Sequence, residues 1–164
     1  MAALASVCSE LAAALVSVGA DRYRRGVTDT TPLQQRVTGP VLAPDSPDFA
    51  DEVAGFNTAI TNSPEIAVGA ASVEDVVETV RFAREAGLPL RIQATGHGAT
   101  KPVTDGILLT TKRLDTVSVD PATRIATVAA GTRWTAVVTA AAEHGLAPVT
   151  GSSTNVGVVG YLLG

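Results

Sequence analysis

The sequence predicts an α/β domain, of the α+β kind with a mixed sheet, from three observations. From Pro64 onward, short apolar and β-branched runs alternate with stretches of helical period. The helical stretches are bracketed by capping residues and glycines. Two Gly/Ser/Thr-rich segments, residues 95–100 and 150–160, interrupt the alternation right beside apolar runs.

Taken in order, Leu4, Val7, Leu11, Leu15 and Val18 recur at helical spacing among alanines, and Gly19 stands where a C-cap belongs. This predicts a leader helix. Residues 20–48 carry Arg22, Arg24, Arg25 and four prolines, and read as an extended linker. Residues 48–59 predict a short helix with Phe49, Val53 and Phe56 on one face. An apolar strand follows over residues 65–69. Ser72 then caps a helix, with Asp75 completing a capping-box-like start, Val76, Val77, Val80, Phe82 and Ala83 as its buried side and Gly87 as its end.

A second strand, residues 90–94, runs straight into Thr95-Gly96-His97-Gly98-Ala99-Thr100. Strands over 106–110, 116–119 and 124–129 come next, with Asp120-Pro121 as a turn. Thr132 opens a helix that runs through Glu143 and closes at His144-Gly145. No internal repeat is present. The expected organisation is a leader helix and linker over residues 1–39 and one domain over 40–164, its core starting at about residue 63.

Composition excludes several partners. The net charge is −4, and no basic stripe is interleaved with aromatics, which argues against nucleic acid. Cys8 is the single cysteine, so no internal disulfide forms; two His and one Cys cannot build a four-ligand zinc site. Residues 1–20 are largely apolar, but no Lys or Arg precedes them and Glu10 interrupts them, so neither a signal peptide nor a membrane span is expected. A cytoplasmic protein is the expectation. Apolar residues make up 46% but aromatics only 4%, so the core must be mostly Ala, Val and Leu.

Two loops can carry chemistry. In Thr95-Gly96-His97-Gly98-Ala99, flanking glycines let backbone amides approach an anion closely and leave the imidazole open to a ligand. A solvated surface turn is the competing reading, because Gly-His-Gly is a short motif. Gly151-Ser152-Ser153-Thr154-Asn155-Val156-Gly157 offers many amides, three hydroxyls and no negative charge, which suits a pyrophosphate. A flexible linker is its alternative, but Val158, Val159, Leu162 and Leu163 follow directly and tie the loop to apolar structure. Other motifs fail. Lys101 stands where a dinucleotide fingerprint needs its third glycine, and Asn155 replaces the closing glycine of a nucleophile elbow. A serine hydrolase using Ser153 and His97 lacks an acidic partner and an oxyanion turn. His144, at a helix end, reads as structural.

Together the two loops are more specific than either alone. The run Ile92-Gln93-Ala94-Thr95-Gly96-His97-Gly98-Ala99 resembles the first cofactor loop of the berberine bridge enzyme-like flavoproteins, within the vanillyl-alcohol-oxidase (PCMH) type of FAD domain. Ala129-Ala130-Gly131-Thr132-Arg133-Trp134 and Glu143-His144-Gly145-Leu146-Ala147-Pro148 are similar to that family's segment before its second loop. Gly151 to Tyr161 resembles the second loop itself, and the likeness spans roughly Pro40 to the end.

The resemblance implies FAD held by Thr95, Gly96, His97, Gly98, Ala99, Gly131, Gly151, Ser152, Ser153, Thr154, Val156, Gly157 and Val158. It implies a covalent bond from His97 to the flavin 8α-carbon. Ser153 occupies the position where many members add a cysteinyl link, so a single histidyl attachment is expected. Such a bond would hold the cofactor and raise its reduction potential.

Family members continue past this point into a substrate domain, so the sequence reads as an N-terminal portion, incomplete at the C-terminus, and names no catalytic acid or base. The implied activity is an oxidase of CH–OH or CH–NH small-molecule substrates using dioxygen, with the 164 residues alone inactive. The alternative is a non-catalytic remnant or interaction module of the same fold that binds no flavin.

Overall fold

A computed structural model describes residues 28–164. The expected leader helix lies outside the described residues. Chain order is α1 (Thr31–Gln34), β1 (Val41–Leu42), α2 (Phe49–Val53), β2 (Ile66–Gly69), α3 (Val73–Ala86), β3 (Leu90–Gln93), β4 (Ile107–Thr110), β5 (Val117–Asp120), β6 (Ile125–Val128), α4 (Trp134–Ala142) and α5 (Val158–Leu163).

Four strands form a mixed sheet in the order β1-β2-β4-β3. β2 and β3 both run parallel to β4, pairing Ile66 and Leu90 with Ile107, while β1 is antiparallel to β2. The central strands are buried at every position, which is why they read as unbroken apolar runs and not as alternating ones. Their two faces are covered differently. Ile66, Val68, Ile107 and Leu109 pack against Phe82 and Ala83 of α3, and Ala67 and Leu108 pack against Phe49 and Val53 of α2. The antiparallel ribbon β5–β6 forms a second sheet, and its Val117 and Val128 lie against Trp134 and Val137 of α4.

Three expectations are corrected. The described part of the supposed linker is built into the fold: Leu33 is fully buried in the α3-side core, and β1 extends the sheet. Helix α3 buries Asp75, Thr79, Phe82 and Ala83, whereas Val77 and Val80 are exposed. The buried stripe is thus rotated toward the polar pair, because Asp75 has partners waiting inside. Helix α2 stops at Val53, since Ala54 turns extended, so Phe56 leaves the helix and is 62% exposed.

The start of α3 is the best-satisfied polar site in the fold. The Ser72 hydroxyl accepts from the Asp75 amide at 3.1 Å, as the capping pattern predicts. The Asp75 carboxylate does not reach back to Ser72. It accepts instead from the amides of Thr38 (2.9 Å), Gly39 (3.0 Å) and Ala71 (2.9 Å) and from the Thr38 hydroxyl. A Cβ on Gly39 would stand 1.9 Å from the Gly69 carbonyl oxygen, so only glycine allows this approach. At the other end Gly87, with φ of 62°, closes the helix.

Burial would raise the Asp75 carboxyl, but the amides of Thr38, Ala71 and Gly39 and the Thr38 hydroxyl outweigh it and hold it at about 2. A carboxyl lowered on folding stabilises the protein above its unfolded value, and that contribution drains away as pH falls toward 2. The expected size is roughly 2 kcal/mol. Asp75→Asn should therefore lose about that much in urea unfolding at neutral pH, and the difference from the parent should shrink steadily below pH of about 4.

Candidate functional site

Strand β3 ends at Gln93, and the chain turns away through Thr95–Ala99 at the C-terminal edge of the parallel strands, the usual place for a ligand in such sheets. What holds this turn is a buried pair of amides. Gln93 Nε2 donates to the carbonyls of Val53 (3.2 Å) and Ala54 (3.3 Å). Asn62 Nδ2 donates to the same Val53 carbonyl (2.9 Å) and to Gln93 Oε1 (3.1 Å), while Asn62 Oδ1 accepts from the Val103 amide. The segment after α2 is thereby laid along the turn: the Phe56 amide donates to the Thr95 carbonyl at 2.8 Å. Gly96 has φ of +73°, and a Cβ there would come within 2.8 Å of Gly55 Cα.

His97 is gripped on two sides. Its ring lies flat on Phe56, centroids 3.8 Å apart and planes 8° from parallel. Its Nδ1 is 2.8 Å from the Thr95 hydroxyl. The remaining nitrogen, Nε2, is buried without a hydrogen-bond partner. Burial first, and the nearby Arg133 charge second, lower the imidazole from its ordinary value of 6.5. The ring therefore holds its proton less readily than a free histidine does.

The second loop is pinned by its carbonyls. Helix α4 has no side-chain cap; its first amides donate to the loop instead, Trp134 to Val156 and Thr135 to Thr154. The Thr135 hydroxyl also reaches the Thr154 carbonyl, and the Arg133 guanidinium reaches that of Asn155. Val158 returns its amide to Thr132, closing an antiparallel bridge between Arg133 and Gly157. Residues 154–155 form a turn, and among the described residues the amides of 151–155 and of Gly96, His97 and Gly98 have no protein acceptor.

The two loops meet at Gly157, where a Cβ would lie 3.2 Å from Thr95 Cγ2. Around this junction opens a cavity of about 710 Å³. Thr95, Gly96, His97, Gly98, Ala99, Val156 and Gly157 all line it, together with Arg91 and Lys101 and no acidic residue. Other sequence-identified positions lie elsewhere. Gly151, Ser152, Ser153 and Thr154 are exposed outside this cavity. Gly131 lines a smaller one of about 290 Å³ beside Lys112 and Arg133. Val158 is buried in the core under α4.

Three contributors were not singled out from sequence. Phe56 stacks on His97, and Arg133 both anchors the second loop and bears on His97. Tyr161 of α5 lines the cavity, meets Trp134 edge-on, and would lie 3.1 Å from a Cβ on Gly151. Gly98-like exposed glycines give a sequence signal; an aromatic swung out of a helix gives none.

Among the described residues, no group of three or more His, Cys, Asp or Glu could hold a metal ion, and no helix is long and apolar enough to cross a membrane. The residues present fit a flavin dinucleotide. Unpaired amides from two loops and an acid-free wall suit a pyrophosphate, and the buried, unpartnered Nε2 is a polar atom that protein alone leaves unsatisfied.

Two outcomes follow. Gly96→Ala should destabilise the chain by about 1–3 kcal/mol, read by thermal unfolding, because it combines a positive φ with a backbone clash. In a His144→Ala background, which leaves one histidine, His97 should titrate below 6.5 by NMR, and Arg133→Gln should move it upward.

Comparison with known proteins agrees with this geometry. A family model described as an FAD binding domain matches residues 64–164. The chain is 31% identical over 136 residues to (R)-6-hydroxynicotine oxidase of Paenarthrobacter nicotinovorans, covering 81% of this chain and 29% of that protein. It is 28% identical over 132 residues to the uncharacterized FAD-linked oxidoreductase YvdP of Bacillus subtilis, covering 79% of this chain and 30% of that one. The crystal structure of 6-hydroxy-D-nicotine oxidase from Arthrobacter nicotinovorans matches with a TM-score of 0.69 at 29% identity, over 77% of this chain and 28% of its own. A Physcomitrella patens BBE-like 1 variant shares the fold, with a TM-score of 0.72 at 20% identity, over 84% of this chain and 31% of its own. The chain thus spans under a third of the length of these relatives. With its mixed sheet and paired loops, it belongs to the FAD-binding domain family and forms the N-terminal portion of a PCMH-type domain.

Proposed function

We propose that the chain is the cofactor-cradling part of an FAD-dependent oxidoreductase, an oxidase of CH–OH or CH–NH substrates with dioxygen as acceptor, in which FAD is attached through His97. The observation that carries this reading is the His97 ring, held by Phe56 and Thr95 in the wall of a cavity that opens where the two glycine-rich loops meet. A nucleophile of this kind needs a bare lone pair, a fixed approach and no competing water. The relationship to (R)-6-hydroxynicotine oxidase supports an oxidase and a small-molecule substrate.

Within this reading, bound FAD supplies the two-electron acceptor for substrate oxidation. The amides of Gly96, His97, Gly98 and of the second loop bind its anionic bridge. Ser152, Ser153 and Thr154 add hydroxyl donors along the same loop, and Gly131 and Val158 place the strand and helix ends that carry it. Arg91 and Lys101 balance charge at the cavity wall. Residues 40–164 supply the first part of the cofactor domain.

Acid precipitation of FAD-loaded full-length protein is the test. Flavin should stay with the protein, His97→Ala should release it, and Ser153→Ala should retain it. Complete release from the parent would rule out the covalent link, and a colourless protein that takes up no FAD would favour a non-catalytic module.

A further inference from the structure

The loop that carries His97 is backed by a short stretch of chain just beyond α2, residues 55–57. We infer that Asn57 is a positioning residue for this loop: with the Phe56 amide it holds the loop by its carbonyls and so turns the loop's amides toward a bound diphosphate. This rests on the flavin reading above.

Both ends of the loop are gripped at a carbonyl. Phe56 donates its amide to the Thr95 carbonyl at 2.8 Å, and Asn57 Nδ2 donates to the Ala99 carbonyl at 3.2 Å. In a planar trans peptide the C=O and the N–H point to opposite sides. Bonds that draw the Thr95 and Ala99 carbonyls toward residues 56 and 57 therefore send the amides of Gly96 and Thr100 the other way. The Gly96 amide has no protein acceptor among the described residues. Thr95 to Ala99 all line the cavity of about 710 Å³, whereas Gly55, Phe56 and Asn57 line no part of it. The loop thus stands between its backing and the cavity, with the Gly96 amide turned to the cavity side.

The Asn57 side chain is itself oriented. Its Oδ1 accepts from the Ala59 amide at 3.2 Å, closing a local turn that leaves Nδ2 as the group facing Ala99. Backing and loop are also in van der Waals contact, since a Cβ on Gly96 would come within 2.8 Å of Gly55 Cα. The second loop is held on the same principle, by α4 amides on the carbonyls of Thr154 and Val156. There the donors belong to a helix backbone. In the first loop one of the two is a side chain, so a single substitution removes it. The Ala99 end is then free to rotate, and a ligand must bear the cost of ordering it.

Two variants isolate the donor. Asn57→Asp keeps the oxygen that closes the Ala59 turn, and Asn57→Ser removes the donor without adding charge. Nitrogen-15 relaxation of the ligand-free 164-residue chain should show residues 95–100 as ordered as β3, and both variants should loosen these residues alone. ADP, followed through the same amides, should bind about fivefold more weakly to both variants. Riboflavin, which carries no phosphate, should bind parent and variants alike. Asp75→Asn, far from the loop and less stable, should bind ADP as the parent does, which separates positioning from loss of stability.

A parent loop that is already mobile, or variants that leave it ordered, would overturn the inference. So would a loss confined to Asn57→Asp, which is charge repulsion, or an equal loss for riboflavin. Parental ADP affinity in both variants overturns it and leaves the flavin reading intact. A parent that takes up neither FAD nor ADP overturns the flavin reading, and the order of the loop then decides the role of Asn57 by itself.

Discussion

The site depends on one buried contact between two side-chain amides. Gln93 and Asn62 bond to each other and both bond the Val53 carbonyl, at the point where α2 has ended and its last carbonyls need donors. Both residues are almost fully buried, so an unmet group here would cost more than the pair gains. The contact joins three things that the sequence keeps far apart: the end of β3, the end of α2 and the approach to β4. It sets the position from which the Phe56 amide reaches the Thr95 carbonyl on the turn that carries His97.

The same fold also uses buried carboxylates as ties. Asp75 gathers three amides and a hydroxyl from the entry segment and the end of β2. Glu52, only 5% exposed, meets Arg113 through both oxygens, at 2.6 and 3.1 Å, and also accepts from Thr110. Burial would raise the Glu52 carboxyl, but these hydrogen bonds and the Arg113 and Lys112 charges leave it lowered. Lys112 adds its ammonium to the carbonyls of Asp51 and Glu52. Each carboxylate ties an irregular stretch to the sheet, and directional bonds do this better than apolar contact, which has no preferred register.

The sheet was legible because its central strands are apolar at consecutive positions, and the helices because Ser72, Gly87 and Gly145 punctuate them. Helix α3 shows where periodicity misleads. Its valines suggest a buried stripe, yet Asp75 and Thr79 go inside because bonding partners arrive from residues 38, 39 and 71, which no local pattern reveals. Residues 31–42 look like linker for a similar reason: one leucine in a polar, proline-rich stretch carries too little signal to announce a core position. The two loops stood out because glycine runs beside apolar strands are unusual. Arg133 and Phe56 did not, since their roles arise from contacts between segments distant in sequence.

The second loop is held almost wholly through its carbonyls, by the first amides of α4 and by Arg133. Main-chain anchors are indifferent to side-chain identity. Ser152 and Ser153 point no essential group into the scaffold, so their replacement leaves the loop's path intact. A lineage carrying this fold can therefore exchange those side chains, and with them the number or kind of contacts made to a bound molecule, without rebuilding the backbone that presents them.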